Sequence, residues 1–100
     1  MKADERRAAT ALYRALSAAA GAIAKGERDA AQLVAGMRKM IEAEPLASVD
    51  YAEIVDADTL EPVMRLRRNC LALLAVFAGA PRLIDNLLAE EREDSFVVTL

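Results

Sequence analysis

The chain has 100 residues, of which 55% are hydrophobic, and its 13 basic and 16 acidic side chains leave a formal charge of −3. This length suits one small domain with a modest core, and the acidic balance argues against a nucleic-acid binder, which needs a basic face to displace counterions from phosphates. The chain contains no histidine and one cysteine, which argues against a zinc site or acid–base catalysis by this chain alone.

Two helices are predicted in the first half of the chain. Apolar residues recur at steps of three and four along the first, at Leu12, Leu16, Ala19 and Ile23. This spacing predicts a helix over residues 3–25 that stops at Gly26. A second helix is expected to begin at Asp29 and to end before Pro45. Because only a few residues connect them, the two helices should pack as antiparallel neighbours.

The helical spacing of apolar residues ends before Val49, and the following VDYAEIVD, with its β-branched and acidic residues, indicates a strand. CLALLAVFA, residues 70–78, is continuously apolar and fits a strand covered on both faces or a buried helix. Its length and the following Gly-Ala-Pro favour a strand, and RLIDNLLAEE then returns as the second arm of a hairpin. VMRLRRN is ambiguous. The tail SFVVTL is β-prone and apolar, and we expect it to pack on the sheet, to add a strand or to pair with a neighbouring molecule, an ordered tail being only slightly favoured over a disordered one.

These elements predict an α+β fold in which two antiparallel helices pack on a small three-stranded antiparallel sheet, with residues 1–100 forming a single domain. The helices would cover one face, yet the middle strand is apolar on both. The other face should therefore meet another domain or a second copy, as in a homodimer. No apolar run spans a membrane and no signal peptide is present, so we expect a cytoplasmic chain with Cys70 as a buried, inert thiol and no membrane partner.

Three stretches stand in a distinctive order: ADERRAATALYRAL, then VDYAEIVDADTLEPV, then LALLAVFAGAPRLIDN. In order and spacing, over about residues 3–88, they resemble the C-terminal domain of the pantothenate synthetase (pantoate–β-alanine ligase) family. The run RLIDN, which follows a glycine turn, is the most specific part of the likeness. The tail after Glu90 lies outside it.

The resemblance implies a ligase that condenses pantoate with β-alanine through a pantoyl-adenylate, using ATP and magnesium and releasing pyrophosphate. In this family the active site lies mainly in an N-terminal nucleotide-binding domain with a histidine-containing HIGH-like motif, and a Ser-Ser-Arg-Asn segment precedes the first C-terminal helix. Neither motif occurs here. No catalytic, cofactor-binding or metal-binding residue of the family is therefore assigned to this chain.

The implied role is a lid domain, inactive alone, whose partner is the nucleotide-binding domain of the same enzyme. It would bind no cofactor by itself. The alternative is a stand-alone dimerising interaction module without catalysis. The sequence leaves open whether the chain was excised from a longer enzyme.

The family signature supplies the candidate site residues, Arg82, Leu83, Ile84, Asp85 and Asn86. In a strand, the side chains of Leu83 and Asp85 point to one face and those of Ile84 and Asn86 to the other. One interpretation is structural: Asp85 accepts hydrogen bonds from an arginine or from turn amides, and Asn86 bonds backbone. The other is that these residues face the closed active site. The structural interpretation is favoured because polar groups among apolar neighbours need partners.

Other charged groups are less specific. A basic cluster comprises Arg65, Arg67 and Arg68. It would contact ATP phosphates or nucleic acid, or it is an ordinary solvated loop or a set of partners for nearby carboxylates. Without interleaved aromatic residues and with a net negative charge, phosphate binding is disfavoured. Four acids lack the spacing of a calcium loop and are expected to cap turns or face solvent: Asp50, Glu53, Asp56 and Asp58. An acidic run is expected only to aid solubility: Glu90, Glu91, Glu93 and Asp94.

Overall fold

The computed structural model describes residues 3–93 and 95–100. Its elements in chain order are α1 (Ala3–Ala24), α2 (Ala30–Glu42), β1 (Ser48–Asp56), β2 (Asn69–Phe77), β3 (Arg82–Arg92) and β4 (Ser95–Thr99). The strands form one antiparallel sheet in the order β1-β2-β3-β4. Both helices pack on the same face of this sheet, α2 against β1 and α1 against β2, β3 and β4.

Local hydrogen bonds define the break between the two helices. Gly26 adopts a φ of 108°, a conformation that side chains with a Cβ rarely reach. The backbone N–H groups of Gly26 and Glu27 donate to the carbonyls of Ile23 and Ala22, which closes the end of α1. Asp29 then caps α2, because its side chain accepts from the N–H groups of the helix's first turn. The helix break predicted at Gly26 and Asp29 is therefore confirmed.

The hairpin of β2 and β3 forms as the apolar run and its Gly-Ala-Pro turn predict. Residues 78–81 connect the strands, the N–H of Ala78 donates to the carbonyl of Pro81, and Gly79 takes a φ of 70°. In the register of the hairpin Leu74 lies opposite Asp85 and Ala72 opposite Leu87. Strand β1 pairs along the other side of β2, with an irregularity between Val49 and Tyr51 that leaves Asp50 out of the regular register.

The core lies between the helices and the inner face of the sheet. It is aliphatic, as the scarcity of aromatic residues requires. The largest fully buried side chains are Leu16, Ile23, Met37, Ile41, Leu74 and Leu87. Burying one such side chain contributes about 1.5–3 kcal/mol, so this layer holds the helices on the sheet.

The prediction of three strands is wrong, because the tail adds a fourth. β4 pairs with β3 from Arg92–Ser95 to Leu88–Thr99, and Phe96 and Val98 pack against the core. The alternating burial along SFVVT fits a strand. Whether so short a segment pairs with β3 depends on tertiary packing rather than on its own sequence. The ambiguous segment before β2 is a loop whose Leu66 is buried. No helix in residues 3–93 and 95–100 has the length and hydropathy needed to span a membrane.

Candidate functional site

Many of the side chains on the sheet face opposite the helices are apolar. We call this surface the outer face and define it by the side chains Tyr51, Leu71, Leu73, Phe77, Ile84, Leu88 and Val97, which share one side of the sheet by strand register. Ile84 is 58% exposed and Val97 50% exposed. Exposed apolar side chains on one face of a sheet are a candidate docking site for another protein surface.

Polar groups border the outer face. The Nη2 atom of Arg82 lies 2.7 Å from Oδ2 of Asp50, and the Arg82 guanidinium lies 5.5 Å from the centre of the Tyr51 ring. Glu53 and Asn86 are exposed on the same face. Apolar side chains interspersed with polar ones are compatible with a protein–protein interface.

The signature residues divide between the two faces as the alternation predicts, but their contacts differ from those expected. Leu83 packs against the core, while Ile84 and Asn86 belong to the outer side. Oδ1 of Asp85 accepts from the N–H of Asn86 at 2.8 Å, and the nearby arginine pairs with Asp50 instead. Asp85 and Asn86 are both exposed. Their polar groups therefore remain accessible to a partner.

The basic cluster lies in the loop between β1 and β2. Arg65, Arg67 and Arg68 line a shallow cavity of about 480 Å³ together with Asp56 and Glu61. The backbone N–H of Arg68 also donates to a carboxylate oxygen of Glu91 at 2.8 Å. Carboxylates thus stand among the arginines, which weakens the attraction of this loop for phosphate.

The candidate acids are dispersed through the fold. Asp50 pairs with Arg82, and Glu90 pairs with Arg92 at 3.1 Å. Oδ1 of Asp56 accepts from the N–H groups of Asp58 and Thr59. Within residues 3–93 and 95–100, no group of three or more cysteine and carboxylate side chains is placed to hold a metal ion. Asp94 lies outside the described residues.

Cys70 is buried on the inner face, where its Sγ lies 3.4 Å from the carbonyl of Arg67. Burial is the main cause that raises the pKa of this thiol. A raised pKa lowers the fraction of thiolate, the form that acts as nucleophile. The thiol is thus suited to packing.

Sequence reasoning anticipated an uncovered apolar face but missed the polar contacts at its border. Arg82 meets Asp50 and Tyr51 because β1 is displaced in register at Asp50. These contacts could have been predicted only from the registers of both the β1–β2 pair and the β2–β3 pair. The arrangement is a partly apolar, exposed surface beside an ion pair.

Comparisons with known proteins identify the family. The profile of pantoate-beta-alanine ligase matches residues 1–88. The pantothenate synthetase of Caldicellulosiruptor saccharolyticus is 44% identical over 90 residues, which are 90% of this chain and 32% of that protein. The pantothenate synthetase of Roseiflexus castenholzii is 50% identical over 86 residues, 86% of this chain and 31% of that protein.

A solved structure gives the same result. The crystal structure of pantoate-beta-alanine ligase (pantothenate synthetase) from Thermus thermophilus superimposes with a TM-score of 0.76 at 29% identity, covering 86% of this chain and 31% of that one. The chain thus spans about a third of the length of the curated relatives it matches. A family profile that matches residues 1–88 covers most of the chain, and the fold agrees with that of a solved member. The chain belongs to the pantoate–beta-alanine ligase family.

Proposed function

We propose that this chain is the C-terminal lid domain of a ligase that joins pantoate and β-alanine to make pantothenate. The observation that carries the proposal is the family match over residues 1–88, a stretch that corresponds to about a third of the relatives' length. The complete enzyme would form a pantoyl-adenylate, with ATP and Mg²⁺ bound by a nucleotide-binding domain in the cytoplasm. This chain would be inactive alone, because its sequence contains no histidine and neither of the family's nucleotide-binding motifs.

The outer face supports the choice of a lid. A lid must cover a site while the reaction proceeds, since a reactive acyl-adenylate would otherwise be exposed to water. An exposed apolar surface with a polar border can dock against a second domain in this way. Ile84 is the exposed apolar side chain next to the Arg82–Asp50 pair on this face.

A chimeric enzyme tests the proposal. In the Caldicellulosiruptor saccharolyticus synthetase, the third that aligns with this chain would be replaced by residues 1–88 of it. Pantoate-dependent exchange between ATP and pyrophosphate and formation of pantothenate would be measured. The controls are the same enzyme without that third and this chain alone. We expect activity from the chimera only; a chimera that folds but forms no pantothenate contradicts the proposal.

A second candidate is a stand-alone module that dimerises through the outer face. It is favoured by the exposure of Ile84, which a second copy could cover as well as another domain could. Light scattering on the isolated chain and on Ile84→Lys separates the candidates. A dimer that the lysine abolishes, combined with an inactive chimera, would support the module.

A further inference from the structure

Three arginines lie along one side of α1. Arg6, Thr10 and Arg14 follow one another at steps of four residues. Arg7 stands three residues before Thr10, so the four side chains share one face of the helix. They line a shallow cavity of about 470 Å³ between α1 and the end of α2, where Glu44 and two apolar residues form the other wall. We call it the α1 cavity. Because both helices pack on the inner face of the sheet, this cavity is separate from the outer face.

The α1 cavity holds an excess of positive charge, although the chain as a whole is acidic. Three guanidinium groups face one carboxylate among its described lining residues, and all three arginines are exposed. Oε1 of Glu44 accepts from the backbone N–H of Leu46 at 3.2 Å, so this carboxylate is engaged with the turn after α2. Between the side chains that the structure describes, ion pairs join only residues of β1 and β3. Within that set, the α1 guanidinium groups are therefore available to an anion.

The loop between β1 and β2 offers an internal comparison. Its cavity has nearly the same volume, about 480 Å³, and it also contains three arginines. Two carboxylates, those of Asp56 and Glu61, stand among them, and Glu91 accepts from the backbone N–H of Arg68. The positive excess is thus smaller in the loop cavity than in the α1 cavity. Since attraction depends on the net charge that a ligand meets, an anion should prefer the α1 cavity.

We propose that the α1 cavity binds an oligophosphate, a chain of two or three phosphoryl groups. A planar guanidinium group donates two parallel hydrogen bonds to a phosphate, which suits arginine to such a ligand. Arg7 and Arg14 lie about 10 Å apart along the helix axis, so a chain of phosphates reaches both better than a single phosphate does. The Thr10 hydroxyl lies between them and can donate to the middle of the chain.

The site does not depend on the role of the chain as a lid. An oligophosphate in the α1 cavity and a domain docked on the outer face occupy opposite sides of the sheet. Binding is therefore measured on the isolated chain, without any ligase activity. Two sources supply this ligand chemistry, free pyrophosphate and the tail of a nucleoside triphosphate.

Titration calorimetry of the chain at constant ionic strength tests the site. The probes are tripolyphosphate, pyrophosphate and orthophosphate, and we expect the affinity to fall in this order. Arg14→Gln should weaken tripolyphosphate binding about tenfold, because it removes a group that forms charge-assisted hydrogen bonds. Arg67→Gln is the matched control, since it removes the same charge from the loop cavity and should leave the affinity unchanged. Equal losses for the two variants, or no binding of tripolyphosphate, overturn the proposal.

Glu44→Gln gives an expectation of the opposite sign. It removes the carboxylate from the α1 cavity but keeps an oxygen that can accept from the N–H of Leu46. Tripolyphosphate should therefore bind several-fold more tightly, because a nearby negative charge has been removed. Unchanged or weaker binding by this variant, with its circular dichroism spectrum unaltered, contradicts the location of the ligand.

Nuclear magnetic resonance and ATP complete the test. Amide shifts on adding tripolyphosphate should appear at residues 6–14 and 40–44 and be absent at residues 61–68. Shifts confined to residues 61–68 overturn the assignment. ATP that binds at least as tightly as pyrophosphate identifies a nucleotide tail as the ligand, whereas weaker binding of ATP identifies free pyrophosphate; both results support an oligophosphate site.

Discussion

Asp56 is a residue whose charge stabilises a turn. Oδ1 accepts from the N–H groups of Asp58 and Thr59 at 2.8 and 3.0 Å. These bonds are the main causes that lower its pKa below the ordinary 3.8. Because the folded pKa is lowered, the charged form contributes stability above about pH 4, and this contribution is lost as the pH falls through the folded pKa.

We therefore expect Asp56→Asn to lower the melting temperature at neutral pH, with a difference from the unaltered chain that shrinks towards pH 2. Thermal unfolding followed by circular dichroism at several pH values measures this. Asp58→Asn is the control, because the Asp58 side chain takes no part in the two bonds. A difference that stays constant with pH, or the same pH dependence for both variants, would contradict the assignment.

Arg82 belongs to the family signature, yet its ionic contact is partly exposed. The side chains of Arg82 and Asp50 retain 44% and 33% of their accessible surface, and ion pairs of this kind contribute about 0–1 kcal/mol. We expect Arg82→Ala to reduce the free energy of unfolding by less than about 1 kcal/mol, as measured by urea denaturation. Arg92→Ala, which breaks the exposed pair with Glu90, is the matched control. A much larger loss for Arg82→Ala alone would mean that the arginine fixes the fold.

At the scale of elements, the sequence predicted what local signals determine. The periodicity of α1, the break at Gly26 and the cap at Asp29 depend on residues close in the chain. The β2–β3 hairpin depends on an apolar run and a short turn. The β4 strand depends instead on Phe96 and Val98 reaching α1 and the core, which local composition does not reveal.

The two faces of β4 should contribute differently to stability. Phe96 packs on the core with the Arg28 guanidinium 4.6 Å from its ring centre, whereas Val97 points to the outer face. We expect Phe96→Ala to lower the free energy of unfolding by about 1–2 kcal/mol and Val97→Ala by less than half of that, since little apolar area of Val97 is buried. Urea unfolding of the two variants and of the unaltered chain compares them. Equal losses of unfolding free energy for the two variants would contradict the β3–β4 register, in which Phe96 faces the core and Val97 does not.

At the scale of the whole molecule, the amino-acid pattern predicted a second apolar surface but left its occupant open. Alternation along β2 and β3 assigns Leu73 and Ile84 to the side away from the helices. The exposure of Asp85 and Asn86 depends on how far the helices extend over the sheet, and the contact of Arg82 depends on the displaced register of β1. These features arise from packing between distant segments, so the sequence interpretation of the signature as buried structure could not foresee them.

If the outer face docks on the nucleotide-binding domain, a new charge on this face should impair the enzyme while leaving this domain folded. Ile84→Lys replaces an exposed apolar side chain with a lysine, whose desolvation in the contact is unfavourable. In the chimeric synthetase we expect at least a tenfold loss of pantothenate formation, equivalent to about 1.4 kcal/mol of docking free energy. The melting temperature of the isolated variant should change little, because Ile84 is 58% exposed.

Met64→Lys is the matched control, since Met64 is an exposed apolar residue of the loop between β1 and β2 and is not one of the side chains that define the outer face. It should leave the chimera as active as the unaltered one. If both lysine variants were equally active, the outer face would not be the docking surface. The signature strand would then serve only to stabilise the fold. A loss confined to Ile84→Lys would connect the exposed half of that strand to the ligase reaction, because the same substitution leaves the isolated domain intact.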